Sequence, residues 1–292
     1  MMIDLHTHST ASDGTDSPRE LIRKASEIGL EAIALTDHDT LQGLSEAMEA
    51  GKEFGVEVIP GCELSVESPE GAGWIHIVGL WVPEEAVPLQ KAFDWVIEGR
   101  ETRNHEIIAR LRKLGINISY DNVVERAGGT VGRPHIAQEM VSLGVVEDIH
   151  RAFGEYLGDN GKAYVPKRKL SREQALGVLR EVGATSILAH PFMLGPSPVF
   201  AEHIIKELKD MGLDGIEVFY TEHDGPTTDL FARIARQYDL LMSGGSDYHG
   251  RVKPGTKLAV GKDNLNIPYE LLEGMKNVRR AKGLWVTERV KR

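Results

Sequence analysis

The sequence predicts an α/β fold, a parallel sheet that carries an inserted helical subdomain. Three observations predict it: short apolar, β-branched runs recur along the chain, helical patterns lie between many of them, and one interval is far too long for a single strand-helix step. At 292 residues the chain is long enough for one large α/β unit bearing an insertion.

The strand runs are Ile3 to His8, Ala32 to Thr36, Val56 to Pro60, Ile75 to Val82, Thr185 to Ala189, Gly215 to Tyr220 and Leu240 to Ser243. Several are apolar at nearly every position, as a strand covered on both faces should be. Between the first two, Ser17-Pro18-Arg19-Glu20 reads as a capping box with proline at the first helical position, opening an amphipathic helix of Leu21, Ile22, Ala25 and Ile28 that stops at Gly29. Ser171 to Gln174 repeats that logic before Ala175, Leu176, Val178 and Leu179. More than a hundred residues separate His76 from His190. A structureless loop of that size is improbable in a compact protein, so residues 91–164 are expected to form a helical substrate-binding insertion in a domain built from 1–90 and 165–292. Within it, Ala92 to Leu114 reads as a long helix and Ile136 to Leu143 as another. Near the C-terminus Lys276, Arg279, Arg280, Lys282, Arg289, Lys291 and Arg292 read as a solvated basic face.

Composition excludes several classes. With 41% hydrophobic and 27% charged residues the chain is neither disordered nor a small disulfide scaffold, and its single cysteine, Cys62, forms no internal bridge. A formal net charge of -10 disfavours a broad grip on DNA or an anionic membrane, while leaving room for a small anionic substrate. The start lacks the order of a secretory signal and no apolar run approaches the roughly 18 residues of a membrane span, so the expectation is a soluble cytoplasmic protein. Oligomeric state is not legible.

The chemistry lies where the strands end. His6 and His8 close the first strand as His-x-His, and residues i and i+2 of an extended segment point the same way, so two imidazoles can meet one ion; Asp13 follows in a turn. The second strand ends at Thr36-Asp37-His38-Asp39, the third at Gly61-Cys62-Glu63, and His76 sits in the fourth. After the insertion come Ala189-His190-Pro191 and Ser246-Asp247-Tyr248-His249. A lone strand histidine is usually a hydrogen-bonded core residue, but groups of this kind on five separate segments reverse that reading. Asp37 and Asp39 read as helix caps or as orienters of ligands, and His105, His150, His203 and His223 stay unassigned. The set is thus His6, His8, His38, His76, His190 and His249 with Asp13, Glu63 and Asp247, which implies two or three divalent ions. Mixed imidazole and carboxylate donors suit Mn²⁺, with Fe²⁺ or Zn²⁺ as alternatives.

As an ordered set these motifs resemble the PHP family, named for polymerase and histidinol phosphatase. The resemblance implies a distorted seven-stranded β/α barrel and a two- or three-metal phosphoesterase site, with Glu63 bridging metals and Asp13, His38 and His249 completing the outer ion. In the insertion, Arg100-Glu101-Thr102-Arg103-Asn104 and Gly132-Arg133-Pro134-His135 resemble the nucleoside 3′,5′-bisphosphate phosphatase and RNase AM subgroup. There the equivalent segments bind the phosphate that the metals do not touch. Arg100 and Arg103 share one helical face, and guanidinium forks match phosphate oxygens.

The resulting expectation is hydrolysis of the 3′-phosphate of a nucleoside 3′,5′-bisphosphate by a metal-activated hydroxide, with His190 or Asp13 helping to protonate the leaving oxygen. Alternatives are 5′ to 3′ exoribonuclease action on short 5′-phosphorylated RNA, histidinol phosphate hydrolysis, amide or lactone hydrolysis on a similar cluster, and a non-catalytic metal-binding module.

Overall fold

A computed structural model describes residues 2–127, 131–195 and 197–289. The elements run β1 (Ile3–Thr7), α1 (Pro18–Glu27), β2 (Ala32–Leu35), α2 (Leu44–Phe54), β3 (Glu57–Val66), β4 (Ile75–Leu80), α3 (Val87–Lys113), α4 (Tyr120–Ala127), α5 (Arg133–Ser142) and α6 (Ile149–Ala152). There follow α7 (Arg172–Glu181), β5 (Thr185–Leu188), α8 (Pro198–Met211), β6 (Gly215–Tyr220), α9 (Gly225–Gln237), β7 (Leu241–Gly245) and α10 (Tyr269–Ala281). The chain divides into two compact units, one made of the segments up to Ala92 and from Leu170 onward, the other of Phe93–Lys169.

In the first unit the seven strands neighbour one another in chain order, and the end of β7 returns to β1, where Asp247 N donates to His6 O at 2.9 Å and His8 N to Tyr248 O at 2.9 Å. The sheet is therefore a nearly closed barrel. Parallel pairing, expected throughout, fails at one strand: β4 runs antiparallel to both β3 and β5. No helix separates β3 from β4, so the chain turns straight back and the direction reverses. As a result β4 begins at the edge where its parallel neighbours end, and His76, its second residue, arrives there with the other strand-end groups.

Two faces of the sheet are packed. The α1 and α2 residues Leu21, Ile22, Ala25, Ala47 and Ala50 bury against Ile33, Leu35 and Val58, while Ile3, Leu5, Ile59, Val78, Leu80 and Ile187 form a second cluster with Leu272 and Met275 of α10. Each such large side chain contributes about 1.5–3 kcal/mol when removed from water. Ser17 caps α1 by accepting from Glu20 N, but the Glu20 carboxylate turns to Arg23 instead of closing the box; at α7 the Ser171 and Gln174 exchange is reciprocal.

The basic tail needs correction. Arg280 and Lys282 are exposed, but Lys276 and Arg279 are each only 1% exposed. Lys276 Nζ reaches both oxygens of Glu57, and Arg279 donates to Thr185 Oγ1, Gly183 O and Trp285 O while lying over the Trp81 ring. They hold α10 to the strands because each buried charge finds partners on distant segments. Lys291 and Arg292 lie outside the described residues.

The second unit has its own core, in which Ile107, Ile108 and Leu111 of α3 pack with Val123, Ile136, Met140, Leu157 and Val165. Val165 belongs to that core, whereas Leu170 bridges to Val66 of β3, so the division falls after Lys169 and not at 165.

Candidate metal centre

The site residues gather at one edge of the barrel, some just past strand ends and others within strands: Glu63 lies inside β3, which runs three residues beyond it to Val66. His6 and Glu217 lie at the register shifts of β1 and β6, and such bulges re-aim side chains that a regular ladder would send elsewhere. Asp39, His190 and Asp247 follow the ends of β2, β5 and β7 with φ of 50°, 30° and 56°. Left-handed backbone at non-glycine residues is strained and persists where its surroundings enforce it. Gly245 has the opposite reason to be where it is: a Cβ there would fall 2.3 Å from His6 Cβ, so only glycine lets β7 approach β1.

The nine residues singled out in the sequence come together. Within each of the groups His8/Asp13/His38/His249, His6/His8/Asp247 and His38/Glu63/His76, one ligand atom from every residue lies within 4.8 Å of the others. His190 joins through Nε2, 3.1 Å from Glu63 Oε1. Glu63 stands at the centre, its two oxygens 2.9–3.2 Å from nitrogens of His6, His8, His38, His76 and His190. A cavity of about 470 Å³ opens onto the cluster.

Whether cations fit is answered by the buried polar atoms. Nε2 of His6, both ring nitrogens of His8, Nδ1 of His38 and Oε2 of Glu63 are buried yet make no hydrogen bond among the described residues. Leaving such atoms unpaired is costly, and this many in one place marks a ligand cage. The electrostatics agree. Burial alone would raise the carboxyls of Glu63 and Asp247, but the imidazoles around them hold both well below the usual range. Burial opposes charge on His8 as well, but its contacts with Asp247 and Glu63 prevail and push it up to about 9, and His6 rises for the same reason. His38, half-buried, loses enough water and stands close enough to the His8 and His76 imidazoles to be pushed down to about 3. The cage draws positive charge, and in a protein without ions only protons can supply it. Cys62 takes no part, since burial pushes its thiol up and keeps it neutral.

Several supporting residues escaped the sequence reading. Glu217 accepts from His6 Nδ1 at 3.1 Å and from His190 N at 2.7 Å, which directs His6 Nε2 into the cage. Tyr220 Oη and Lys253 Nζ both donate to Asp247 Oδ2, at 2.9 and 2.6 Å. Asp4 ties β1 to the β7 end by accepting from Ser246 N and Oγ. Asp37 and Asp39, already singled out in the sequence as caps or orienters, also support the site: Asp37 accepts from Ser9 and Ser12 and so holds the turn between His8 and Asp13, and Asp39 accepts from Ser65 N. Both are orienters and neither joins a ligand group. A lone acid in the apolar run Gly215 to Tyr220 was the available signal for Glu217.

In the second unit, Arg103 Nε donates to Val165 O at 2.7 Å, Arg133 Nη1 to Leu157 O at 2.9 Å, and Asn104 Nδ2 to Val131 O at 3.0 Å. Arg100 is half-buried and Pro134 is exposed in the first turn of α5. Burial, and then repulsion from Arg133 and Arg100, lowers the Arg103 guanidinium, so Arg103 senses both neighbouring cations.

A barrel of this order with a strand-end cage of histidines and acids defines the class, and the PHP domain model matches residues 4–167. The chain belongs to the PHP domain family. It is 37% identical over 246 residues to a 5′-3′ exoribonuclease of Haemophilus influenzae, covering 84% of this chain and 89% of that one. A phosphoribosyl 1,2-cyclic phosphate 1,2-diphosphodiesterase of Eggerthella lenta is 32% identical, with 86% and 95% covered, and a 3′,5′-nucleoside bisphosphate phosphatase of Chromobacterium violaceum is 32% identical, with 89% and 92% covered. A solved Chromobacterium violaceum structure, described as an amidohydrolase with bound sulfate and no metal, superimposes with a TM-score of 0.74 at 31% identity, covering 94% of this chain and 96% of that one. Among the described residues no helix is long and apolar enough to cross a membrane.

Proposed function

We propose that the chain is a metal-dependent phosphoesterase that removes the 3′-phosphate of nucleoside 3′,5′-bisphosphates, yielding the nucleoside 5′-phosphate and inorganic phosphate. The observation that carries the reading is the cage itself, in which Glu63 meets five imidazoles and several buried donor atoms have no protein partner. His6, His8, His38, His76, His190 and His249 with Asp13, Glu63 and Asp247 would hold two or three divalent cations, Mn²⁺ first among them. Such cations would lower the pKa of bound water towards about 7 and neutralise phosphoryl oxygens.

The chain's own residues do the remainder. Glu217 fixes the His6 tautomer, and Lys253 and Tyr220 hold Asp247 in place. Asp13 does not protonate the leaving oxygen, because its carboxyl is held far below the usual range by His249 and His38 against the effect of burial and so carries no proton at neutral pH; the role is left to His190 through Nδ1, the ring nitrogen that does not face Glu63. Arg100, Arg103 and Arg133, with Asn104 and the Pro134 turn, bind the 5′-phosphate and convert remote binding into orientation. The same clamp serves a second reading, 5′ to 3′ exoribonuclease action on short RNA, which the Haemophilus influenzae relative favours.

Product analysis tests both readings. Mn²⁺-loaded protein should release phosphate from adenosine 3′,5′-bisphosphate and leave AMP, and chelation should abolish this until Mn²⁺ is restored. Mononucleotides from a 5′-phosphorylated oligoribonucleotide would establish the second activity. Turnover of a 1,2-cyclic phosphate alone would overturn the proposal. Arg133→Ala should depress bisphosphate turnover far more than that of glycerol phosphate, and equal losses would remove its assigned role.

A further inference from the structure

We infer that Trp74 and Phe192 form an aromatic platform that receives the nucleobase beside the metal cluster; this rests on the nucleotide reading above. Both rings line the cavity that opens onto His76 and His190. Large apolar side chains are ordinarily withdrawn from water, but Trp74 is 62% exposed and Phe192 40%. Neither is a loose surface group. The indole of Trp74 stacks on the His76 ring with centroids 6.5 Å apart, and Phe192 stacks on Tyr220 at 5.6 Å and meets buried His223 edge-on at 5.8 Å.

The turns that carry the two rings are locked together. Gly73 N donates to Leu194 O at 3.1 Å, and a Cβ on Gly73 would fall 1.9 Å from Met193 O, so only glycine permits this approach. Two partly exposed rings on backbone segments held together in this way, lining the cavity that reaches the cluster, offer stacking surfaces at little ordering cost. Every base has a π face, so such a surface accepts any nucleobase and grips the larger purines best.

The test compares AMP with ribose 5-phosphate, which share phosphate and sugar and differ in the base. In direct binding to the Mn²⁺-loaded protein AMP should bind about tenfold more tightly, within the range of one stacked base, and should quench tryptophan emission. Trp74→Ala and Phe192→Ala should each erase most of that preference while shifting ribose 5-phosphate less than about twofold, and Trp74→Phe should keep it. Equal affinities in the wild type, or variants that weaken both ligands alike, would overturn the inference. Should AMP keep its advantage while adenosine 3′,5′-bisphosphate is not hydrolysed, the platform stands as a nucleotide site and the proposed reaction falls.

Discussion

Two buried glutamates on β3 sit in opposite surroundings. Glu57, at the start of the strand, accepts from Tyr269 Oη at 2.7 Å, from Lys276 Nζ at 2.7 and 2.9 Å, and from the Thr287 hydroxyl. Glu63, farther along, is ringed by imidazoles, and its Oε2 accepts no hydrogen bond. Both carboxylates bear the cost of leaving water. At Glu57 fixed donors from α10 and the tail offset that cost, whereas at Glu63 the compensation must come from outside the polypeptide. The comparison teaches that burial of a charge is not itself a sign of function; burial with its partners missing is.

Exchanging the two acids for amides should therefore produce opposite phenotypes. Glu63→Gln should remove most bound metal and lower turnover by about 10³-fold, equivalent to several kcal/mol of charge stabilisation, with the fold intact or more stable. Metal analysis and phosphate release check this, and full metal content with full activity would break the comparison. Glu57→Gln should instead cost about 3–5 kcal/mol of stability in urea unfolding, since it leaves Lys276 buried without its counter-charge, and metal content per folded molecule should hold. Replacing Lys276 by methionine in the same chain should recover part of that loss.

A smaller effect sharpens the comparison from outside the cage. Glu217→Gln keeps the shape of the group that orients His6 and His190 N but removes its charge, and should weaken metal affinity about 10–100-fold in a chelator titration. An unchanged affinity would show that the bulges at His6 and Glu217 orient the imidazole without help. Glu217 was hard to read because its contact with His6 crosses most of the chain and depends on two register shifts that leave no mark in the sequence.

Local features of the chain are legible in its sequence, and contacts between distant segments are not. The strand-end positions could be read because a histidine or acid interrupts an apolar run, and the edge of an α/β sheet gathers such interruptions wherever they fall in the chain. Helices α1, α3 and α7 could be read because their periodicity is local. The reversal of β4 could not, since an apolar strand looks the same in either direction. Lys276 and Arg279 misled for a related reason: the sign of a charge says nothing about whether Glu57 or Thr185, some two hundred and one hundred positions away, will be waiting for it.

The smallest effect is electrostatic and concerns the protein stripped of metal. His8 carries a folded-state pKa of about 9, above the roughly 6.5 of an unfolded histidine, because Asp247 and Glu63 outweigh its burial. A raised histidine contributes stability that is fully present below about pH 6.5 and is lost as the pH rises through about 9, at about 1.4 kcal/mol per pH unit between those limits. Cations and protons compete for the same nitrogens, so metal entry near pH 7.5 should release a proton, read as a dependence of binding heat on the ionisation enthalpy of the buffer. Metal affinity and turnover should fall as the pH drops from about 9 towards 6.5, while the stripped protein gains the His8 contribution over the same interval; below about pH 6.5 His38, held down to about 3, works against any further gain. Melting curves of chelated and Mn²⁺-loaded protein at pH 6.5 and pH 9 should accordingly diverge as the pH rises. Parallel curves would mean that the negative charge around Glu63 is balanced without the imidazoles, and would return Glu63 to the same category as Glu57.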